Sequence, residues 1–346
     1  MQQIAKIVNS SKLISPKKLS VIVQDTISIL EEESSSYRPH DSITGRPGGL
    51  LDFSTIDSSL PVIIVPDLHS RGDFFAAILK YKPVFKNTNI NGSETVFDLL
   101  EQNRIYVICV GDGLHSELHK IRWIAAYNDY EQGNVMGEAI SQEMKEGLAL
   151  MEMVMKCKCT FPKHFHFLKG NHENILNSNR HGNHPFRKFV QEGEMVLAFM
   201  QNFYGEDLLR LYACMEDLFP LCAVFPNCVI SHAEPIQYFS KDEIIDGLND
   251  AQVTQGLTWT SNGDSQEGSV AKILADLLPT NSHSVYIAGH RPVHGNYSLR
   301  QGGKFIQIHN PREWNVAVVF PSVPFNPDLN IISVLPPEST TGGKNG

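Results

Sequence analysis

Residues 165–173 read FHFLKGNHE, from Phe165 to Glu173. An apolar run of strand length stops at a lysine–glycine pair and gives way to Asn171, His172 and Glu173. The same grammar recurs four more times. Residues 60–65 (LPVIIV) run into Asp67 and His69, and residues 105–110 (IYVICV) run into Gly111, Asp112 and Gly113. Residues 228–231 (CVIS) end at His232, and residues 285–288 (VYIA) end at Gly289 and His290. Strand ends are where sheets gather their functional side chains. The set Asp67, His69, Asp112, Asn171, His232 and His290 is therefore expected to converge on two metal ions.

Taken singly, these endings say little. An Asp-x-His pair is commonly a capped turn, and a histidine at a strand end is commonly a hydrogen-bonded structural residue. The GNHE ending is more demanding: Gly lets the backbone turn, Asn supplies a neutral oxygen, His is poised for proton transfer, and Glu can brace the loop. Five such endings in one chain point to a shared site.

The chain has 346 residues, 42% hydrophobic and 19% charged, enough for one large domain or two modest ones. A net charge of −9 without basic blocks argues against a nucleic-acid polymer as partner. The longest apolar runs fall far short of the roughly 20 residues that cross a bilayer. The opening MQQIAKIVNSSKLISPKK has no basic start followed by an apolar core and cleavage site, so a cytoplasmic protein is expected. Cys109 and Cys228 lie inside apolar runs and read as small buried hydrophobes. Cys157 and Cys159 have one residue between them and no second pair, which does not suit zinc.

Strands alternating with helices predict an α/β architecture. Residues 73–81 (DFFAAILKY) read as a helix after the first ligand pair. Residues 118–156 read as mostly helical, with a break at Gly133 and Gly137 and a Met-rich core stripe over 139–155. From Cys222 onward the strands come closer together, as in a second sheet. Residues 1–55 are expected to be a partly helical N-terminal extension, with a helix over 19–33 docked on the main domain. Residues 56–325 are expected to form the catalytic domain, and 326–346 a tail of disordered composition.

In chain order, PDLH, VGDG, LKGNHE, ISHAEP and AGHRPVHG resemble the motifs of the calcineurin-like metallophosphoesterases. The chain looks most similar to their phosphoprotein phosphatase (Ser/Thr phosphatase) branch, on FPLCAVFPNCVISHAEP, GLTWTSN and FIQIHNPREWNVAVVF, over residues 60–320. The resemblance implies a two-sheet β-sandwich flanked by helices, with a dinuclear metal site at the C-terminal ends of the strands. It implies Asp67 and His69 on the first ion, Asp112 bridging, and Asn171, His232 and His290 on the second. His172 would be the catalytic acid that protonates the departing alkoxide. The mixed nitrogen and oxygen set accepts two divalent or trivalent ions of manganese, iron or zinc.

The second motif departs from that branch, which reads Gly-Asp-x-Val-Asp-Arg-Gly where this chain has Gly111-Asp112-Gly113-Leu114-His115-Ser116-Glu117. An Asp that orients the catalytic histidine is replaced by His115, and an Arg that grips phosphate by Ser116. The stretch around Trp259 also lacks a second gripping Arg. Arg71, Arg291 and His115 are the expected substitutes, with Arg180 and Arg187 as further options. His294 is a candidate first-metal neighbour, and His181 and His184 are candidate rim residues. Three functions follow: a phosphomonoesterase acting on a phosphorylated protein or small molecule, a nucleotide hydrolase resembling the diadenosine tetraphosphate hydrolases, or a pseudo-phosphatase that only binds.

Overall fold

The computed structural model describes residues 1–335 apart from 9, 11, 57–59 and 87. Its architecture follows from how the strands divide their side chains. Eleven strands are described: β1 (Leu50–Asp52), β2 (Val62–Val65), β3 (Tyr106–Cys109), β4 (Phe165–Phe167), β5 (Cys222–Phe225), β6 (Cys228–Ser231), β7 (Val285–Ala288), β8 (Ser298–Arg300), β9 (Phe305–Gln307), β10 (Asn315–Val319) and β11 (Ile331–Ser333). They form a six-stranded sheet in the order β1-β5-β6-β7-β9-β8 and a five-stranded sheet in the order β11-β10-β2-β3-β4.

Side chains alternate across each strand, so every central strand feeds two cores. From β2, Val62 and Ile64 pack between the sheets, whereas Ile63 and Val65 face a helical layer. From β5, Ala223 and Phe225 join the inter-sheet core, and Cys222 and Val224 face a smaller layer with Val270, Ile273 and Leu274. The result is the expected α/β sandwich of two sheets flanked by helices. Strands buried on both faces explain why the apolar runs are continuous rather than alternating.

The larger helical layer comprises α1 (Gln2–Val8), α2 (Pro16–Glu31), α3 (Gly72–Lys80), α4 (Val96–Glu101), α5 (Lys120–Glu131), α6 (Glu138–Thr160), α7 (Glu192–Tyr204) and α8 (Glu206–Asp217). The long helical stretch breaks as its glycines predicted: α5 ends at Glu131 and Gly137 caps α6. Residues 1–55 supply α1, α2 and β1, and β1 pairs in parallel with β5. β11 pairs with β10, so residues 331–333 also belong to a sheet. The rest of the expected tail, 336–346, lies outside the described residues. Among the described residues no helix is long and apolar enough to cross a membrane.

The N-terminal segment is fastened by a buried ion network. Glu33 accepts from Arg38 and, at 2.5 Å, from Lys158, with His166 Nδ1 at 3.3 Å. Arg38 also donates to the carbonyls of Gly48 (2.8 Å) and Leu218 (2.6 Å), joining the segment to the loop after α8. Removing one partner of such a network leaves buried charge uncompensated. Glu33→Ala is expected to lower the unfolding free energy by about 3–5 kcal/mol. Calorimetric or denaturant unfolding of the two proteins measures this; an unchanged transition would contradict it.

Candidate metal centre

Three parallel strands in each sheet end at the same place. β2, β3 and β4 run parallel in one sheet, and β6, β7 and β9 run parallel in the other. Asp67, Asp112 and Asn171 follow the first three, and His232, His290 and His309 follow the second three. All six are buried. Five of them are among the residues expected from the sequence; His309 is not.

The loops that carry these residues are held mainly by backbone. His69 N–H donates to the Asp112 carbonyl at 2.7 Å, and Ser70 N–H to the Gly113 carbonyl at 2.9 Å. Glu173 braces the next pair of loops, accepting N–H from Gly170 (2.7 Å), Asp112 (2.9 Å) and Gly113 (2.9 Å). Several of the residues so held adopt the left-handed region: φ is 42° at His69, 55° at Asp112, 71° at His115 and 68° at His290. Non-glycine residues rarely do so, and such strain concentrates at functional sites.

Asp112 is central. Its Oδ2 lies 3.4 Å from His69 Nε2 and 3.5 Å from His232 Nε2, between the two groups of donors. Its Oδ1 accepts the His172 backbone N–H at 2.9 Å. Burial, then Asp67 and Glu173, push its carboxyl well above the usual range. A cation between the carboxylates would relieve that repulsion.

The donor atoms themselves test the fit. Asn171 Oδ1, His232 Nε2 and His290 Nδ1 form a triangle with sides of 2.9, 2.9 and 3.1 Å. His232 Nδ1 sits 3.0 Å from the Val110 carbonyl, which only accepts, so Nδ1 carries the proton and Nε2 a lone pair. That lone pair faces the Asn171 oxygen, a repulsive pairing unless a cation lies between them. Atoms about 2.1 Å from one ion and at right angles stand about 3.0 Å apart, the size of this triangle. In the same way His69 Nδ1 faces the His115 carbonyl at 2.9 Å, leaving Nε2 to point at Asp67 and Asp112. Burial drives the His69 imidazole down to about 3 and lowers that of His232, so both are neutral, the form that binds metals. The groups Asp67–Asp112–His232 and Asp67–His69–His309 each bring their donor atoms within 4.8 Å of one another. The residues fit divalent metal ions.

His172 lies beside this cluster, with Nε2 3.9 Å from Asp112 Oδ2 and no hydrogen-bond partner on Nδ1. Its ring stacks on His115 (4.8 Å between centroids, 18° between planes) and contacts Phe186 at 4.7 Å. Burial, then His115 and His69, hold its imidazole well below the ordinary range. A neighbouring anion would favour the protonated form. His115 is sandwiched between His172 and Trp123, with Nε2 3.5 Å from Glu192. It meets His172 face to face, where a carboxylate would accept a hydrogen bond.

The arginines divide differently from expectation. Arg71 is buried and directs its guanidinium at the carbonyls of Asp67 (2.7 Å), Glu313 (3.0 Å) and Pro311 (3.2 Å). It clamps two loops and also lines the cleft beside His69. Arg291 is exposed next to His290 and donates to Ser261 at 2.6 Å. Arg180, Arg187, His181 and His294 are exposed, and His184 packs edge-on against Trp259. A cleft of about 420 Å³ opens on His69, lined in part by Ser116, His119, Arg312 and Trp314.

Two neighbours of the cluster, Glu117 and His309, are not among the residues expected from the sequence. Glu117 contacts His69 Nε2 at 3.5 Å, accepts from His309 Nε2 at 2.8 Å and pairs with Lys188. Burial opposes its ionisation, but His69, His309 and Lys188 hold it far below the usual carboxylate range. His309 follows a shorter run, FIQI, and so carries a weaker form of the same strand-end signal.

No protein-family model matches the sequence, and no curated protein sequence does. Solved structures do resemble it. A protein serine/threonine phosphatase from Saccharomyces cerevisiae, with similarity to human phosphatase PP5, superposes with a TM-score of 0.59 at 13% identity, covering 96% of this chain and 94% of that one. A putative diadenosine tetraphosphatase gives 0.42 at 13% identity, over 82% and 96% of the two chains. A cold-active protein-tyrosine phosphatase of a psychrophilic Shewanella gives 0.41 at 13%, over 77% and 76%. The first carries the fold: the chain shares its two-sheet α/β architecture with that phosphatase.

One glycine ties geometry to ligand placement. A Cβ on Gly289 would stand 1.8 Å from Asp67 Oδ1 and 2.9 Å from Val110 Cγ2. Gly289→Ala is expected to displace the Asp67 carboxylate, weakening divalent metal binding and costing roughly 1–3 kcal/mol of stability through overpacking. Metal content after dialysis, together with a melting curve, checks both effects. Retention of metal at the wild-type level would sink the first.

Proposed function

We propose that the chain is a metal-dependent phosphoesterase that hydrolyses a phosphomonoester, with the phosphoserine or phosphothreonine side chain of a protein as the leading substrate class. The observation that carries this reading is the convergence of six strand ends on one buried set of donors. Within it, ring nitrogens of His232 and His290 and the Asn171 oxygen meet at a spacing that suits an ion. The fold shared with a yeast serine/threonine phosphatase supports it.

In this reading Asp67 and His69 would hold a first ion and Asn171, His232 and His290 a second, with Asp112 serving both. Two such ions of manganese, iron or zinc would supply an acidified water and neutralise charge on the phosphoryl oxygens. The chain's own residues do the rest. The backbone bonds of Glu173 fix Asp112 against the His172 loop, so the imidazole is set in place before substrate arrives. His172 is the group in reach of the leaving oxygen, with a ring nitrogen free to deliver a proton there. His115 and Phe186 pack against that imidazole and limit its rotation. In the same reading Arg291, exposed next to His290, would meet the phosphate, and His115 would contribute through the ring stack.

One observation favours a second reading, hydrolysis of a diester or dinucleoside polyphosphate. Ser116 stands where the resembling branch has a gripping Arg, and Arg71 spends most of its donors on carbonyls. A planar fork that meets two phosphate oxygens is hard to replace, and a less charged substrate needs it less. Turnover of p-nitrophenyl phosphate against its bis-ester, with manganese supplied, separates the two. Activity on the monoester is expected; preference for the bis-ester would favour the second reading. No turnover of either by metal-loaded protein would leave a binding module.

Variants test the roles. Asp112→Asn and His232→Ala are expected to lose metal and activity together. His172→Ala is expected to keep its metal while kcat falls by roughly 10²–10⁴-fold, the usual contribution of a general acid. Metal content measured beside kcat checks this. A metal-free His172→Ala protein would contradict the role given to His172.

A further inference from the structure

We propose that His309 is a seventh ligand of this centre, binding through Nδ1 the ion assigned to Asp67 and His69, and that Glu117 is the positioning carboxylate behind it. The inference rests on the metal-dependent reading above and adds to it a ligand from a strand end that the motifs do not include.

The placement comes from the sheet. β7 and β9 are parallel neighbours with Ala288 opposite Gln307. His290 and His309 each lie two residues further on, so the two histidines leave the sheet level with each other. The His309 side chain has no solvent exposure. Its Nε2 is 2.8 Å from Glu117 Oε2. An ionised carboxylate only accepts, so Nε2 carries the proton and the lone pair resides on Nδ1. That Nδ1 has no hydrogen-bond partner and lies 3.8 Å from Asp67 Oδ2, the same distance that separates His69 Nε2 from this oxygen.

Atoms each about 2.1 Å from a shared ion stand about 3 to 4 Å apart, depending on the angle between them. The two pairs with Asp67, at 3.8 Å each, meet that requirement, and all three donor atoms lie within 4.8 Å of one another. One ion would satisfy the buried Nδ1 beside an Asp67 oxygen that already accepts the His290 N–H at 2.9 Å. A histidine that shows one nitrogen to a metal and the other to a carboxylate is a common way to fix the ring and raise its basicity. Glu117 is itself fixed, since its side chain is 6% exposed and it pairs with Lys188. With His309 counted, the first ion has four protein ligands, Asp67, His69, Asp112 and His309, rather than three.

The test uses the full chain, stripped with chelator and titrated with cobalt(II), following bound metal per chain and the visible cobalt absorption. Wild type is expected to take up two equivalents. His309→Ala should weaken one equivalent by at least roughly 10- to 100-fold, leave the other unchanged and alter the cobalt spectrum, with a smaller loss in Glu117→Gln. His290→Ala marks the other ion. Unfolding of each metal-free variant shows whether it folds; if His309→Ala does not, His309→Gln and Glu117→Gln carry the test. Two equivalents of unchanged affinity and spectrum in folded His309 variants, with one lost in His290→Ala, would overturn the seventh ligand and leave the proposed function standing. A wild-type chain that binds no metal would overturn both.

Discussion

Glu173 is the residue on which the centre is built. Its carboxylate gathers three backbone N–H groups from the loops after β3 and β4 and lies wholly inside the protein. Burial raises its pKa above the ordinary carboxyl value, against the opposing pull of those three donors and of the Lys169 charge. With the two loops locked, Asp112 Oδ1 meets the His172 N–H and Asp112 Oδ2 lies between the donor groups. Gly170 makes the approach possible, since a Cβ there would fall 2.3 Å from Asp112 Oδ1. Preorganisation of this kind lets a buried set of like charges persist until a cation fills it.

Much of this was legible in the sequence, for a physical reason. A strand buried on both faces must be apolar throughout, and it must stop where polar side chains begin. The residues after 65, 110, 168, 231 and 288 therefore announced themselves. The helix breaks at Gly133 and Gly137 were legible because glycine at a helix end has a local cause. The second helix begins earlier than expected, at Pro16, where Ser15 accepts from Lys18 N–H as its cap and proline takes the first turn.

What stayed hidden was set by contacts between residues far apart in the chain. Glu117 meets His309 across 192 positions and Lys188 across 71, and no pattern near Glu117 signals either. The clamp made by Arg71 was hidden for the complementary reason: its neighbours in sequence suggest an open loop, while carbonyls of Asn310, Pro311 and Glu313 come round to meet its guanidinium. His309 is a different case. It ends a shorter run, FIQI, which Gln307 interrupts, so its strand-end signal is weaker than that of LPVIIV or IYVICV.

The altered second motif makes sense when its backbone and side-chain duties are separated. The carbonyl of His115 fixes the tautomer of His69, and the carbonyl of Ser116 receives Trp123 Nε1 at 2.9 Å. Both duties depend on the path of the loop, including φ of 71° at His115, and hardly on which side chains it carries. The side chains are then free to differ, and they do. An imidazole stacks on His172 where an acid would bind it, and Glu117, two residues on, turns back to Lys188 and His309. Such a loop constrains the clustered Asp and His donors tightly and the side chains beside them loosely. On the proposed function, a chain can therefore keep its donor set while changing how it would hold an anion.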